Sequence, residues 1–135
     1  MNNSTQKILP ALLLIYGLAS LIHFVHNAEF LTDYPNLPAS WSRGDIYSAW
    51  IILTLVGIGG WVLVVRGFAR LGFLLLAVYA VFGMDSLGHY VLAPMSEHTL
   101  AMNTTILLEV TTAALVLMEV MRQMLLYTLQ KRATK

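Results

Sequence analysis

The sequence contains no cysteine. Disulfide bonds, thiolate metal sites, iron–sulfur clusters and cysteine nucleophiles are therefore excluded. Charged residues are also scarce: they make up 11% of the chain, whereas a typical soluble domain has about 25%. The formal net charge is only +1, and the chain has no basic stripe or RNA-binding motif, so nucleic acid is not expected as a partner.

Several motifs that carry catalysis or nucleotide binding are missing as well. The chain has no P-loop, no G-x-S-x-G elbow, no G-x-G-x-x-G fingerprint and no H-E-x-x-H zinc motif. Its Asp, Ser and His side chains within apolar segments resemble, in residue type alone, zinc-dependent membrane hydrolases of the alkaline-ceramidase type. Those enzymes have more helices, and the resemblance implies no role for any individual residue.

Long apolar stretches are what the sequence does contain, with 58% hydrophobic residues overall. Four stretches approach the roughly 20 residues that a helix needs to cross a bilayer: 8–30, 45–65, 71–92 and 99–126. They lack the alternation of a barrel strand, so they are predicted to be helices. The first is longer than a signal-peptide core and is interpreted as a retained helix. These features predict an all-α integral membrane four-helix bundle, a single domain over residues 1–135 that is surrounded by membrane lipids.

The connections between these stretches carry turn and capping signals. Ser42 with Asp45 predicts a capping box at the start of the second helix. Gly67 lies in a predicted tight turn, and Pro94 is expected to end the third helix. Ser96 is the predicted N-cap of the fourth helix, and the final "QKRATK" is expected to be a solvated tail.

The basic residues predict the orientation of the chain. Arg43 alone falls on one side of the four-span arrangement, and the remaining basic residues fall on the other. The latter are Lys7, Arg66, Arg70, Arg122, Lys131, Arg132 and Lys135. By the positive-inside rule, both termini are predicted to be cytoplasmic, in the cytoplasmic membrane of a bacterium.

Two carboxylic acids, Asp85 and Glu109, are predicted to lie within the hydrocarbon, and all four histidines are predicted to lie toward the same, non-cytoplasmic side. Glu109 is about 15 Å below the outer surface at about 1.5 Å per residue, and Asp85 is closer to it. An acid at the centre of a membrane helix costs about 2.5–3.5 kcal/mol on insertion scales and usually has a partner. No Lys or Arg lies at that depth, whereas imidazole and carboxylate together suit zinc or non-haem iron. The pattern therefore favours a bound divalent cation.

The site prediction follows from helical spacing. His23, His26, Asp85, His89 and Glu109 are the predicted metal ligands, and Glu109 is also the candidate catalytic base beside a metal-bound water. Zinc would suit hydrolysis of a lipid or other apolar substrate, and iron would suit oxidation. Groups expected to orient the ligands are Tyr16, Ser20, Asn27, Glu29, Ser86, Asn103 and Thr105.

Three other functions remain open at this point. The chain could be a haem-binding electron carrier, with His23 or His26 facing His89 across the haem. It could be a proton or cation transporter or channel subunit, although the inner halves of the helices contain few polar residues. It could also be an accessory subunit with purely structural polar groups, in a homo-oligomer or a larger membrane complex. His98, at the start of the last helix, is expected to have no chemical role.

Overall fold

The computed structural model describes residues 3–133, and all regular structure in that range is helical. The third span is divided by a 3-10 turn, which separates a long helix from a short one. The helices are α1 (Asn3–Glu29), α2 (Arg43–Val65), α3 (Ala69–Met84), α4 (His89–Leu92) and α5 (Leu100–Ala133).

Four helical segments are long and apolar enough to cross a membrane: Ile8–Glu29, Arg43–Val65, Ala69–Leu92 and Leu100–Ala133. Many large apolar side chains on their outer faces are exposed, as expected for surfaces that contact lipid. The predicted helical architecture is therefore confirmed. The last helix continues to Ala133, beyond the predicted end at 126, because no proline or glycine interrupts it. Residues 134–135 of the expected tail lie outside the described residues.

The helices form a closed ring of contacts. α1 packs against α2 and α5, and α3 also packs against α2 and α5. The main apolar core lies toward the turn at residues 66–68. It is made of Leu9, Tyr16, Phe73, Leu76, Tyr79, Ala80, Ala113, Val116 and Val120. We call the opposite end, where residues 30–42 and 93–99 connect the helices, the loop end.

Helices α2 and α3 form a tight hairpin through glycine. Gly67 adopts a φ of 91° at the turn, a conformation that costs other residues energy. Further along, a Cβ on Gly72 would lie only 2.7 Å from the Gly60 carbonyl oxygen and 2.7 Å from the Val64 nitrogen. The two backbones are thus in direct contact, as small residues permit between membrane helices.

The predicted capping box at the start of α2 is confirmed. The Ser42 backbone N–H donates to Asp45 Oδ2 at 2.9 Å, and the Asp45 N–H donates back to Ser42 Oγ at 3.3 Å. These reciprocal bonds satisfy two N–H groups that a helix start otherwise leaves unpaired.

The predicted cap of the last helix is wrong. Thr99, not Ser96, caps α5, because its hydroxyl oxygen accepts the Met102 N–H at 3.2 Å. Ser96 lies instead in a separate 3-10 turn over Met95–Glu97, which follows the extended Pro94. The extra turn moves the start of α5 to Leu100.

The third span departs from the predicted continuous helix at residues 85–88. Gly83 packs against Tyr16 so closely that a Cβ there would overlap the Tyr16 ring and hydroxyl. A 3-10 turn over Asp85–Gly88 begins two residues after Gly83. Gly83 before the turn and Gly88 at its end each weaken the α-helical preference by about 1 kcal/mol. The tighter winding directs Ser86 toward α5, where it meets Glu109.

Candidate functional site

Glu109 on α5 is the centre of a buried polar cluster at the loop end of the core. Its side chain is 0% exposed. The Ser86 hydroxyl donates to Glu109 Oε2 at 2.5 Å, and His23 Nε2 lies 3.7 Å from the same oxygen. Ser20 also lies against the carboxyl group, but Oε1 has no hydrogen-bond partner. The structure thus brings together Glu109, His23 and two of the predicted orienting groups.

The hydrogen bonds around His23 favour one proton shared by His23 and Glu109. The Thr105 hydroxyl donates to the Met102 carbonyl at 3.0 Å. Thr105 Oγ1 can therefore only accept from His23 Nδ1, 3.3 Å away. A neutral His23 then presents the lone pair of Nε2 to Glu109 Oε2, so a carboxylate there would set two acceptors against each other. A proton on either group resolves this, and such a pair can act as a general acid and base.

His89 on α4 continues the polar cluster toward the loop end. Its ring lies edge-on to the His23 ring, with centroids 5.4 Å apart. Asn27 Nδ2 donates to His89 Nε2 at 3.2 Å, which orients that ring. The other amide atom, Asn27 Oδ1, is buried and has no hydrogen-bond partner. An acceptor left in this state costs about 1–3 kcal/mol unless a further group pairs with it.

Tyr34 belongs to this cluster, although the sequence analysis did not select it. It is 3% exposed, its hydroxyl is 2.9 Å from His26 Nδ1, and its ring centroid is 4.9 Å from that of His89. Burial raises the pKa of Tyr34 to about 12. The one sequence feature that could have indicated Tyr34 is its position before Pro35, because a residue before proline favours extended backbone. Tyr34 is extended in the structure, and its ring lies over the bundle.

His98, for which no chemical role was predicted, is also buried, at 6% exposed. His98 Nδ1 lies 3.1 Å from the Pro94 carbonyl oxygen, and its Nε2 has no partner. Asn103 accepts from the Tyr90 hydroxyl and donates to the His98 and Met95 carbonyls. Asn103 therefore fixes the 93–99 segment and does not orient the His23–Glu109 pair.

Two other predicted groups, Glu29 and Tyr16, lie away from Glu109 Oε2. Glu29 is exposed and accepts from Tyr47 at 2.8 Å, with Arg43 at 3.2 Å. Tyr16 donates to the Tyr79 carbonyl at 3.1 Å, a bond that supports packing of α1 on α3. Neither Glu29 nor Tyr16 forms a hydrogen bond with a histidine in the described residues.

Asp85 does not contact Glu109, although it lies near enough to His89 to interact with it electrostatically. Its side chain is exposed and forms no hydrogen bond or ion pair within residues 3–133, because the 3-10 turn directs Ser86 rather than Asp85 at Glu109. In the same range, no group of three or more His, Asp or Glu residues is placed to hold a metal ion. The predicted zinc or iron site therefore has no support from the geometry. A haem between His23 and His89 would require their contacting rings to separate.

A cavity of about 650 Å³ opens beside the polar cluster, between α1, α2 and the divided third span. One wall is polar and includes His23, Asn27, Asp85, Ser86 and His89. The other walls are mostly apolar and include Leu37, Trp41, Ile46, Ala49, Ile52, Leu53, Phe82, Val91 and Leu92. An apolar cavity with a few converging polar groups is the usual form of a small-molecule site. We call it the head cavity.

Comparisons with known proteins add no assignment to this geometry. No protein-family model matches the chain, and no curated protein or solved structure matches it either. The functional argument therefore depends on the residues around Glu109 and on the cavity beside them.

Proposed function

We propose that the protein binds a small, mainly apolar molecule in the head cavity and exchanges a proton with it through His23 and Glu109. The observation that carries this proposal is the position of Glu109. Its carboxyl group is fully buried behind Ser86 and His23, and both of these residues line the cavity. The cavity volume of about 650 Å³ is within the usual range for ligand sites, about 300–1,000 Å³.

Each polar residue has a distinct role in this proposal. His23 contacts the bound molecule, and Glu109 holds or supplies the proton behind it. Asn27 donates to His89 Nε2 and so keeps the His89 ring on the polar wall of the cavity. The reaction chemistry that this arrangement supports is general acid–base catalysis at His23, which would make the protein an enzyme acting on an apolar substrate.

Transport of protons or cations is less well supported by the same structure. Beyond Glu109, toward the 66–68 turn, the buried side chains are mainly apolar or tyrosine, and the buried polar residues described there, Thr112 and Glu119, bond to their own helix. A conducting path needs polar groups or water along its length. The polar cluster thus has a route to the loop end through the head cavity, whereas the opposite half is closely packed by the residues of the core.

Filling the head cavity is expected to remove the bound molecule. Ala49 lines the cavity, so Ala49→Phe places a ring inside it. We expect organic extracts of the detergent-purified variant to lose a compound that mass spectrometry detects with wild-type protein at near one-to-one ratio. Ala101→Phe is the matched control, since Ala101 is exposed on α5 and lines neither described cavity. The same compounds in all three proteins, in equal amount, would contradict the proposal.

Elemental analysis of the same samples separates this proposal from the metal-site hypothesis. The proposal expects no stoichiometric zinc or iron. If the wild type contains one equivalent of either metal and His23→Gln loses it, the acid–base proposal is contradicted. The result would instead support a metal centre with His23 and Glu109 as ligands.

We also propose that the four apolar helices span the cytoplasmic membrane of a bacterium, with both termini in the cytoplasm. The distribution of basic residues supports this. In that orientation the loop end, and with it the head cavity, faces the outside.

Cysteine labelling tests the orientation, because the natural chain has no cysteine. Ser40 and Ala133 are exposed and lie at opposite ends of the helices. We expect a membrane-impermeant maleimide to label Ser40→Cys in intact cells, and to label Ala133→Cys only after the membrane is permeabilised. The reverse pattern would invert the topology. Labelling of both residues in intact cells would place the C-terminus outside and contradict the four-span arrangement.

A further inference from the structure

The head cavity has an acidic wall without a basic counterpart. Within residues 3–133, Asp85 is the only Asp, Glu, Lys or Arg that lines it. The Asp85 side chain is exposed, so a molecule in the cavity can reach its carboxylate. An ionisable side chain within a membrane-spanning segment usually has a partner or marks the place where a ligand binds. The charge of the ligand is therefore the property that Asp85 determines.

The histidine beside Asp85 does not supply a positive charge. Asn27 Nδ2 donates to His89 Nε2 at 3.2 Å, so this nitrogen is an acceptor and the His89 ring is neutral. The other histidine of the cavity, His23, directs its Nε2 at Glu109 instead, at 3.7 Å. Neither ring therefore neutralises the Asp85 carboxylate.

Arginine is not available to Asp85 either. Arg43 is the single basic residue between Lys7 and Arg66 in the sequence. Its guanidinium pairs with Glu29 at 3.2 Å, and Arg43 is not among the residues that line the head cavity. The carboxylate is thus left for a cation that comes from outside the chain.

The other walls indicate that this cation is organic. Phe24 of α1, Trp41 and Phe82 of α3 all line the cavity, and Trp41 and Phe82 are exposed. Aromatic rings attract organic cations, and tryptophan does so most strongly. Calcium and magnesium instead need about six or more oxygen ligands, and among the described residues no group of three or more His, Asp or Glu residues is placed to hold a metal ion.

From these walls we infer that the head cavity binds an organic amine in its protonated form. The ammonium group pairs with Asp85, and the apolar body of the amine lies against the aromatic and aliphatic walls. This inference rests on the proposed function, for which it names the substrate class. A protonated amine also carries an exchangeable proton, which is what His23 and Glu109 require of the bound molecule.

Tryptamine, tryptophol and indolepropionate test the charge requirement, because they share one apolar skeleton and end in an ammonium, a hydroxyl and a carboxylate group. We expect isothermal titration calorimetry, in neutral detergent at about pH 7 where alkylamines are protonated, to show tryptamine binding at least about tenfold more tightly than tryptophol. Indolepropionate should bind most weakly, since like charges repel. Equal affinity for tryptamine and tryptophol in the wild type would overturn the inference. Absence of saturable binding by both tryptamine and the aliphatic octylamine would overturn it as well.

Asp85→Asn keeps the size of the side chain and removes its charge. We expect this variant to bind tryptamine at least about tenfold more weakly than the wild type, and to bind tryptophol equally. Asp33→Asn is the matched control, since Asp33 is also exposed at the loop end and does not line the head cavity. If Asp85→Asn does not fold, Asp85→Ser is the replacement, and a preference for the amine that survives in a folded Asp85 variant overturns the inference.

The aromatic contact is tested with two tryptophans in different cavities. A second cavity of about 500 Å³ lies between α1 and α2 and is lined by Trp61, and it has no lining residue in common with the head cavity. We expect Trp41→Leu to weaken tryptamine binding about threefold more than tryptophol binding, and Trp61→Leu to leave the ratio of the two affinities unchanged. An unchanged ratio in Trp41→Leu would overturn the part assigned to Trp41.

Two outcomes separate this inference from the proposed function. If tryptamine has no advantage over tryptophol, and Ala49→Phe abolishes the binding of both, the head cavity binds a neutral molecule, so the inference fails and the proposed function stands. If neither Ala49→Phe nor Asp85→Asn weakens tryptamine binding, the amine binds elsewhere and the inference fails. In that case the extracted compound in the Ala49→Phe experiment still decides the proposed function.

Discussion

Replacement of Glu109 by alanine is expected to lower the free energy of unfolding by about 2–4 kcal/mol. The change leaves the Ser86 hydroxyl without its acceptor, at about 1–3 kcal/mol for the unpaired group, and removes the carboxyl group that faces His23. It also opens a cavity where the side chain was 0% exposed. Thermal unfolding of the detergent-purified protein, followed by size-exclusion chromatography after heating, measures the loss.

The matched controls for Glu109→Ala are Glu109→Gln and Asp85→Ala. Glutamine retains an oxygen to accept from Ser86, so we expect it to lose less than half as much stability. It cannot exchange a proton with His23, however, and any turnover of the bound molecule should stop. Asp85→Ala should change stability by less than about 0.5 kcal/mol, as is usual for an exposed side chain. Equal destabilisation by Asp85→Ala and Glu109→Ala would contradict the assignment of Glu109 as the centre of the cluster.

Alanine at Gly72 is expected to destabilise the α2–α3 hairpin by about 1–3 kcal/mol or more, in the range of an overpacked core. The added Cβ would lie 2.7 Å from two backbone atoms, on Gly60 and Val64. Backbone cannot turn aside as a flexible side chain can, so the helices must separate. The midpoint of thermal unfolding in detergent reports the effect.

Gly59→Ala is the control for this substitution, because a Cβ at Gly59 meets no atom within 4 Å. We expect it to be neutral or slightly stabilising, since alanine favours a helix over glycine by about 1 kcal/mol. If Gly59→Ala and Gly72→Ala lower the unfolding midpoint equally, the loss reflects the presence of glycine in a membrane helix and not the helix contact.

The helices could be predicted from the sequence because each signal is local. Runs of apolar residues define the spans, and Ser42 with Asp45 defines the start of α2. The end of the last helix was harder to predict, because its polar tail consists of helix-favouring residues and contains no local stop signal. The cap at Thr99 was missed because the extra turn at Met95–Glu97 has no apolar periodicity of its own.

The candidate site was only partly predictable, for a geometric reason. His23, Ser86 and Glu109 were selected as polar residues within apolar helices, and the structure brings them together. Asp85 was expected beside them on the assumption of an unbroken helix, and the 3-10 turn changes which side chain faces α5. Tyr34 comes from a connecting segment, and its position over the histidines depends on tertiary packing that periodicity does not encode.

The 3-10 turn at Asp85–Gly88 and the head cavity depend on each other. Backbone that leaves regular α-helical pairing is tolerated at membrane depth only where protein or a polar space surrounds it. Asp85, Ser86 and Gly88 of this turn all line the head cavity. If the span crosses a membrane as proposed, the cavity keeps the irregular peptide groups away from hydrocarbon, and a molecule that fills it would alter their solvation and bias the conformation of the third span.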